Sequence, residues 1–171
     1  KSPQAKINIH VGGAYGEHDK ALARFCNNVE KYITSSAVSR LTVENDDKPN
    51  VFSTKMLHEG VHKRLGIPIV FDSHHHGLGP QDQDYHDAFY LARSTWPKGI
   101  KQQCHHSNSK KKYEDLSVPK VSHSAWFYTP FESYGEEVDV VLECKAKEKA
   151  LFKYQKDFQS NVRSEEHTSE L

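Results

Sequence analysis

The sequence predicts an α/β fold, a parallel sheet with helices crossing between its strands. Three observations carry this. Short apolar runs rich in β-branched residues alternate with segments of helical periodicity. The strand-like runs are mostly continuous in their apolar character, as in strands buried on both faces. Each also ends, at its C-terminal side, in a histidine or a carboxylate.

The elements follow in order. The first strand is Lys6 to His10 (KINIH), running into Val11-Gly12-Gly13. A helix is expected from Glu17 to Ile33, where Leu22, Phe25, Val29, Tyr32 and Ile33 form one stripe. The second strand is Leu41 to Glu44 (LTVE), running into Asn45-Asp46-Asp47. The next helix, Thr54 to Leu65, has Leu57, Val61 and Leu65 on one face and Gly66 placed as its C-terminal cap. The third strand, Ile67 to Asp72 (IPIVFD), runs into the triplet His74-His75-His76. Tyr85, Ala88, Phe89 and Ala92 mark a third helix, and Gln102 to His106 (QQCHH) a less apolar fourth strand. Ser107 to His123 reads as a long polar loop containing Lys110-Lys111-Lys112. Val138 to Glu143 (VDVVLE) is the fifth strand, and Lys147 to Phe158 a closing helix with Leu151, Tyr154 and Phe158 on its stripe. Arg163 to Leu171 (RSEEHTSEL) has no stripe and resembles a translated sequencing-adapter read. It is set apart as a non-native tail, leaving residues 1–162 as one domain portion.

Composition limits the function classes. Lys plus Arg and Asp plus Glu both count 23, so no global field draws phosphate, although a local basic groove stays open. No apolar run approaches the roughly 20 residues of a membrane span, and no signal peptide is read. Cys26, Cys104 and Cys144 are scattered, making neither a disulfide framework nor a zinc ribbon; a reducing, intracellular compartment is expected. The twelve histidines point toward metal, since imidazole is the commonest metal ligand.

The strand-end residues are His10, Glu44, Asp72 with His75, His105 and Glu143. Parallel strands bring their C-terminal ends to one face, where α/β folds place their sites. A single such residue more often only caps the sheet rim; five strand ends together are hard to explain that way. The donor set mixes N and O without paired cysteines, which favours Zn, Mn or Fe. A carboxylate such as Glu44 can bridge two metals, and metals about 3.5–4 Å apart suit phosphoester displacement. Only one histidine of the triplet need be a ligand. The Lys triplet could contact phosphate, but a solvated loop is its blander reading. Gly12-Gly13 lacks the spacing of a dinucleotide loop.

These residues resemble the UV damage endonuclease family. The matching segments are His10-Val11-Gly12-Gly13-Ala14-Tyr15-Gly16, Leu41-Thr42-Val43-Glu44-Asn45-Asp46-Asp47 and Ile67-Pro68-Ile69-Val70-Phe71-Asp72-Ser73-His74-His75-His76. They continue through Thr95-Trp96-Pro97, His105-His106-Ser107 and the stretch from Leu142-Glu143-Cys144 to Ala150-Leu151, in the family's order. The resemblance implies an incomplete TIM-barrel-like (β/α)8 fold, related to endonuclease IV, with about five C-terminal β/α units present. It implies a site for up to three divalent ions held by His10, Glu44, Asp72, His75, His105, His123 and Glu143. Glu44 bridges two of the ions in that picture, Glu44 and Glu143 are the catalytic carboxylates, and manganese is preferred over Zn, Mg or Co. Tyr15 and Lys110 are the expected DNA contacts. The expected partner is damaged double-stranded DNA, cut 5′ to ultraviolet photoproducts and related lesions. The full-length enzyme is expected to be monomeric. Its location would be cytoplasm or nucleoid in a bacterium or virus, and the nucleus in a eukaryote.

Three departures qualify the resemblance. A full barrel takes about 200–250 residues, so about three strands, with further histidine ligands and lesion-probing residues, are expected before Lys1. Gln103 stands where family members often carry Lys, and Ala125 where they often carry Asp. Two rivals stand beside the nuclease: a metal-dependent sugar isomerase or epimerase on a related barrel, and an inactive fragment.

Overall fold

The structure is a computed structural model that describes residues 4–159. The expected tail, Arg163 to Leu171, lies outside them. The described residues form two compact units, 4–105 with 136–141 and 106–135 with 142–159.

The strands are β1 (Ile7–Ile9), β2 (Leu41–Glu44), β3 (Ile69–Asp72), β4 (Gln102–His106) and β5 (Val138–Leu142). They form one sheet in the order β1-β2-β3-β4-β5. The first three pairings are parallel, with Ile9 beside Val43, Glu44 beside Val70 and Asp72 beside His105. Each strand therefore neighbours the next in sequence, as successive β/α units require. The architecture is TIM-barrel-like and incomplete, as expected.

Burial refines the strand reading. β2 and β3 are buried along their whole length. β1 and β5, at the two ends of the strand order, are not: Ile7 is 48 % exposed and Val141 49 %. β4 alternates, with Gln102, Cys104 and His106 buried and Gln103 and His105 partly open. A side chain gains from a two-faced core only where both neighbouring layers exist.

The crossovers begin with α1 (His18–Tyr32) and the short α2 (Ser35–Val38). Ala21, Leu22, Cys26 and Val29 form the buried face of α1, whereas the expected stripe members Tyr32 and Ile33 stay exposed. Between β2 and β3 run α3 (Thr54–Leu57), a π-helical turn (His58–His62) and α4 (Lys63–Leu65). Ser53 caps the start by accepting from the Met56 N–H at 3.2 Å, and Gly66 ends the run at φ 67°, as expected of a left-handed cap. A Cβ on Gly60 would lie 2.6 Å from Leu22 Cδ1, so the π-turn approaches α1 closely only because residue 60 is glycine.

After β3 come α5 (Ser73–His76) and α6 (Tyr85–Ser94). Asp84 caps α6 through the Asp87 N–H at 2.8 Å, and Ala88, Phe89 and Ala92 are its buried face. The unit's core gathers Phe52, Leu57, Val61, Ile69, Val70, Phe71 and Phe89.

The second unit corrects the expectation of a structureless stretch from Ser107 to His123. Ser109 caps a short helix, α7 (Lys110–Tyr113), and pairs antiparallel with His123. Near the end of the described chain, α8 (Glu148–Tyr154) passes into a π-turn (Gln155–Gln159). Ala150 and Tyr154 pack with Phe127, Trp126 and Leu142, while Leu151, expected on the buried stripe, is 40 % exposed.

Candidate metal centre

The loops after β1, β2 and β3 and the end of β4 converge on Glu44, which is only 3 % exposed. Its Oε1 lies 3.3 Å from His75 Nδ1 and 3.2 Å from His105 Nδ1. Its Oε2 lies 3.7 Å from His10 Nε2 and accepts from the Asn8 amide. One ligand atom each from His10, Glu44 and His75 falls within 4.8 Å of the others, and the same holds for Glu44, Asp72 and His105. Glu44 belongs to both groups, the placement a carboxylate needs to join two ions.

The surrounding polar groups hold these side chains in place. Asn45 Nδ2 donates to the Asp72 carbonyl at 3.0 Å, and the Asp72 N–H donates to Asn45 Oδ1 at 2.9 Å, locking the ends of β2 and β3 together. Asp72 Oδ1 caps α5 by accepting from the His74 and His75 N–H groups at 2.7 and 2.8 Å. Asp72 Oδ2 is sealed from solvent and accepts no hydrogen bond among the described residues. A buried carboxylate oxygen without a donor is costly, and a cation would satisfy it. His75 Nδ1 is 3.0 Å from the Asn45 carbonyl, and His10 Nδ1 is 2.9 Å from Asp46 Oδ1.

Ionisation follows from this packing. Burial pushes the Glu44 carboxyl up, but hydrogen bonds and charge from His105 and His75 outweigh burial and hold it well below the usual carboxylate range. Burial, only partly opposed by His75, raises Asp72 to about 6. Burial would lower His75, yet its contact with Glu44 and the charges of Asp72 and Glu44 raise it to about 9. The cluster is a proton-holding site that a cation can take over.

The other expected residues sort as follows. Of the triplet, only His75 joins the cluster. His76 packs between Phe71 and Tyr85, with ring centroids 5.4 and 5.9 Å away. His106, next to His105, stacks on Phe127 at 5.6 Å in the second unit's core. His123 and Glu143 lie in the second unit and meet each other, Nδ1 to Oε2, at 3.5 Å. Lys110 and Lys145 flank His123 in a groove of about 450 Å³. Tyr15 is 86 % exposed, with the Arg24 guanidinium 5.8 Å from its ring centroid. Gln103 donates to the Gln4 carbonyl at 3.1 Å, and the Ala125 N–H to Glu114 at 2.7 Å, so both departures have ordinary structural partners.

Sequence reasoning missed Asn8, Thr42, Asn45 and Asp46. A signal existed for Asn8, a polar residue set between the apolar Ile7 and Ile9.

The family model described as UV-endonuclease UvdE matches residues 1–169. The chain belongs to the UV-endonuclease UvdE family. Among curated relatives, a UV DNA damage endonuclease of Bacillus pumilus (strain SAFR-032) is 36 % identical over 152 residues, 86 % of this chain and 46 % of its own length. One of Bacillus velezensis is 35 % identical over 153 residues, with the same coverage. The crystal structure of SacUVDE superposes with a TM-score of 0.73 at 30 % identity, covering 92 % of this chain and 52 % of that one. The chain thus spans about half the length of the UvdE relatives it matches.

Proposed function

We propose that the protein carrying this chain is a metal-dependent DNA repair endonuclease, hydrolysing the phosphodiester 5′ to ultraviolet photoproducts in double-stranded DNA. One observation carries the reading: a buried carboxylate, Glu44, shared by two ligand groups that contain three histidines and Asp72. Water adds to phosphorus, the P–O3′ bond breaks, and a 3′-hydroxyl and a 5′-phosphate result. When bound, divalent ions, manganese foremost, supply Lewis-acid chemistry, polarising phosphoryl oxygens and lowering the pKa of water. His10, Glu44, Asp72, His75 and His105 would hold the ions, with His123 and Glu143 completing the ligand set. Glu44 and Glu143 are the proposed catalytic carboxylates. Asn8 and Asn45 position Glu44 and Asp72 through the hydrogen bonds described above. Tyr15, an exposed aromatic, and Lys110, beside His123, are the proposed contacts to DNA.

The test is a nicking assay with manganese on irradiated and unirradiated plasmid, using the protein that carries this chain and its Glu44→Gln variant. Nicking confined to irradiated plasmid and lost in the variant is expected. Equal nicking of both plasmids would remove the lesion specificity, and full activity of the variant would remove the metal-sharing role of Glu44.

A further inference from the structure

The helical run between β2 and β3 carries a histidine pair that the strand-end cluster does not use. His58-Glu59-Gly60-Val61-His62 has the H-E-x-x-H spacing, which sets two histidines on one helix face. The carboxylate of this pattern serves as a base in zinc hydrolases, but here it is occupied. Glu59 Oε2 accepts from Lys63 at 2.5 Å, and Oε1 lies 3.1 Å from His58 Nδ1. Among the described residues no third metal-binding side chain completes the group.

What remains is a preorganised pair of imidazoles. Their rings stack with centroids 5.4 Å apart and planes inclined by 24°. His62 Nδ1 lies 3.1 Å from the Ile67 carbonyl. A carbonyl only accepts, so Nδ1 carries the hydrogen and the lone pair sits on Nε2. The Glu59 carboxylate sets the same tautomer on His58. An outer acceptor on one ring nitrogen is the usual arrangement for a histidine that ligates through the other. Neither Nε2 has a hydrogen-bond partner among the described residues, and neither is sealed from solvent. The turn beneath them is fixed from the α1 side. Cys26 Sγ donates to the Gly60 carbonyl at 3.2 Å, and Leu22 fills the space where a side chain on residue 60 would go.

We propose that His58 and His62 form a second cation site, distinct from the strand-end cluster, for a divalent transition metal such as Zn²⁺, Ni²⁺ or Cu²⁺. Two neutral nitrogens and no carboxylate select these ions over Mg²⁺ and disfavour Mn²⁺. The other coordination positions are left to water or to a ligand from outside the chain. The two sites thus differ in donor set: mixed nitrogen and carboxylate oxygen at the strand ends, nitrogen-only on the helix.

Histidine carbethoxylation with diethylpyrocarbonate, mapped by peptide mass, tests this on the unaltered chain with zinc chloride as the probe. At zinc about ten times its dissociation constant, mass action makes both His58 and His62 react about tenfold more slowly. Magnesium chloride should leave both rates unchanged. The Glu44→Gln variant should keep the protection, which separates this site from the strand-end cluster. The His62→Gln variant should lose protection at His58. Unchanged modification of His58 and His62 by zinc in the unaltered chain would overturn the proposal, whatever the variants do. So would full protection of His58 in His62→Gln.

Discussion

Asn8 donates a hydrogen bond to Oε2 of Glu44, across the β1–β2 pairing. Thr42 Oγ1 donates in turn to Asn8 Oδ1 at 3.0 Å. The amide is therefore fixed in orientation and aims its N–H₂ at the carboxylate. Replacing Asn8 with Leu should leave β1 paired but free Glu44 to turn. Such outer partners cost about 10- to 100-fold in metal affinity. Calorimetric titration of manganese into Asn8→Leu should show a loss of that size. An unchanged isotherm would mean that the amide does not position Glu44.

Glu44→Gln keeps shape and removes charge. The strand-end cluster then lacks the anion that offsets repulsion between two cations. Binding at that cluster should fall from two ions to at most one, as counted by metal analysis after desalting. Recovery of the unaltered stoichiometry would contradict the shared-carboxylate geometry.

The pH dependence has a definite sign. Without metal, His75 is protonated up to about 9 and Asp72 up to about 6. A cation binds the deprotonated forms, so binding should release protons and tighten as pH rises through this range. Calorimetry in buffers of different ionisation heat would read the proton release, and affinity that weakens with rising pH would refute it. The metal-free fold should respond oppositely. The stability that His75 gains from its raised value is present below its ordinary 6.5 and is lost as pH rises through about 9. Asp72, raised by burial from 3.8, costs stability as pH climbs through about 6.

Gly79 lies where the segments following β2 and β3 meet. A Cβ there would lie 2.6 Å from the Asp46 carbonyl oxygen and 3.1 Å from that of His75, both backbone atoms. Gly79→Ala should cost about 1–3 kcal/mol, the usual range for overpacking, in urea unfolding. It should also weaken metal binding, because Asp46 orients His10. Stability and affinity equal to the unaltered chain would show that these segments can separate freely.

In the second unit, Tyr154 Oη accepts from the Phe131 N–H at 2.9 Å while its ring packs against Phe127. Tyr154→Phe keeps the ring and strands the N–H, at about 1–3 kcal/mol. Urea unfolding followed by fluorescence of Trp126, which packs against this cluster, should report the loss.

The sequence alone determined the alternation of strand and helix, the parallel order it implies and the five residues that gather around Glu44, itself included, because each is written locally. An apolar run such as IVFD followed by a histidine tract names both a strand and its polar end. Only the tertiary structure supplied the physical reason why one histidine of each tract meets Glu44. The capping of α5 by Asp72 aims His75 at Glu44 and leaves His76 against Phe71. His105 and His106 part for a simpler reason: neighbours on a strand point to opposite faces. The short helix inside the polar loop and the Asn8 amide also needed the fold. Ser109 pairs with His123 and Asn8 with Glu44, far apart in the chain, and pairing at that range is settled by packing rather than by local preference.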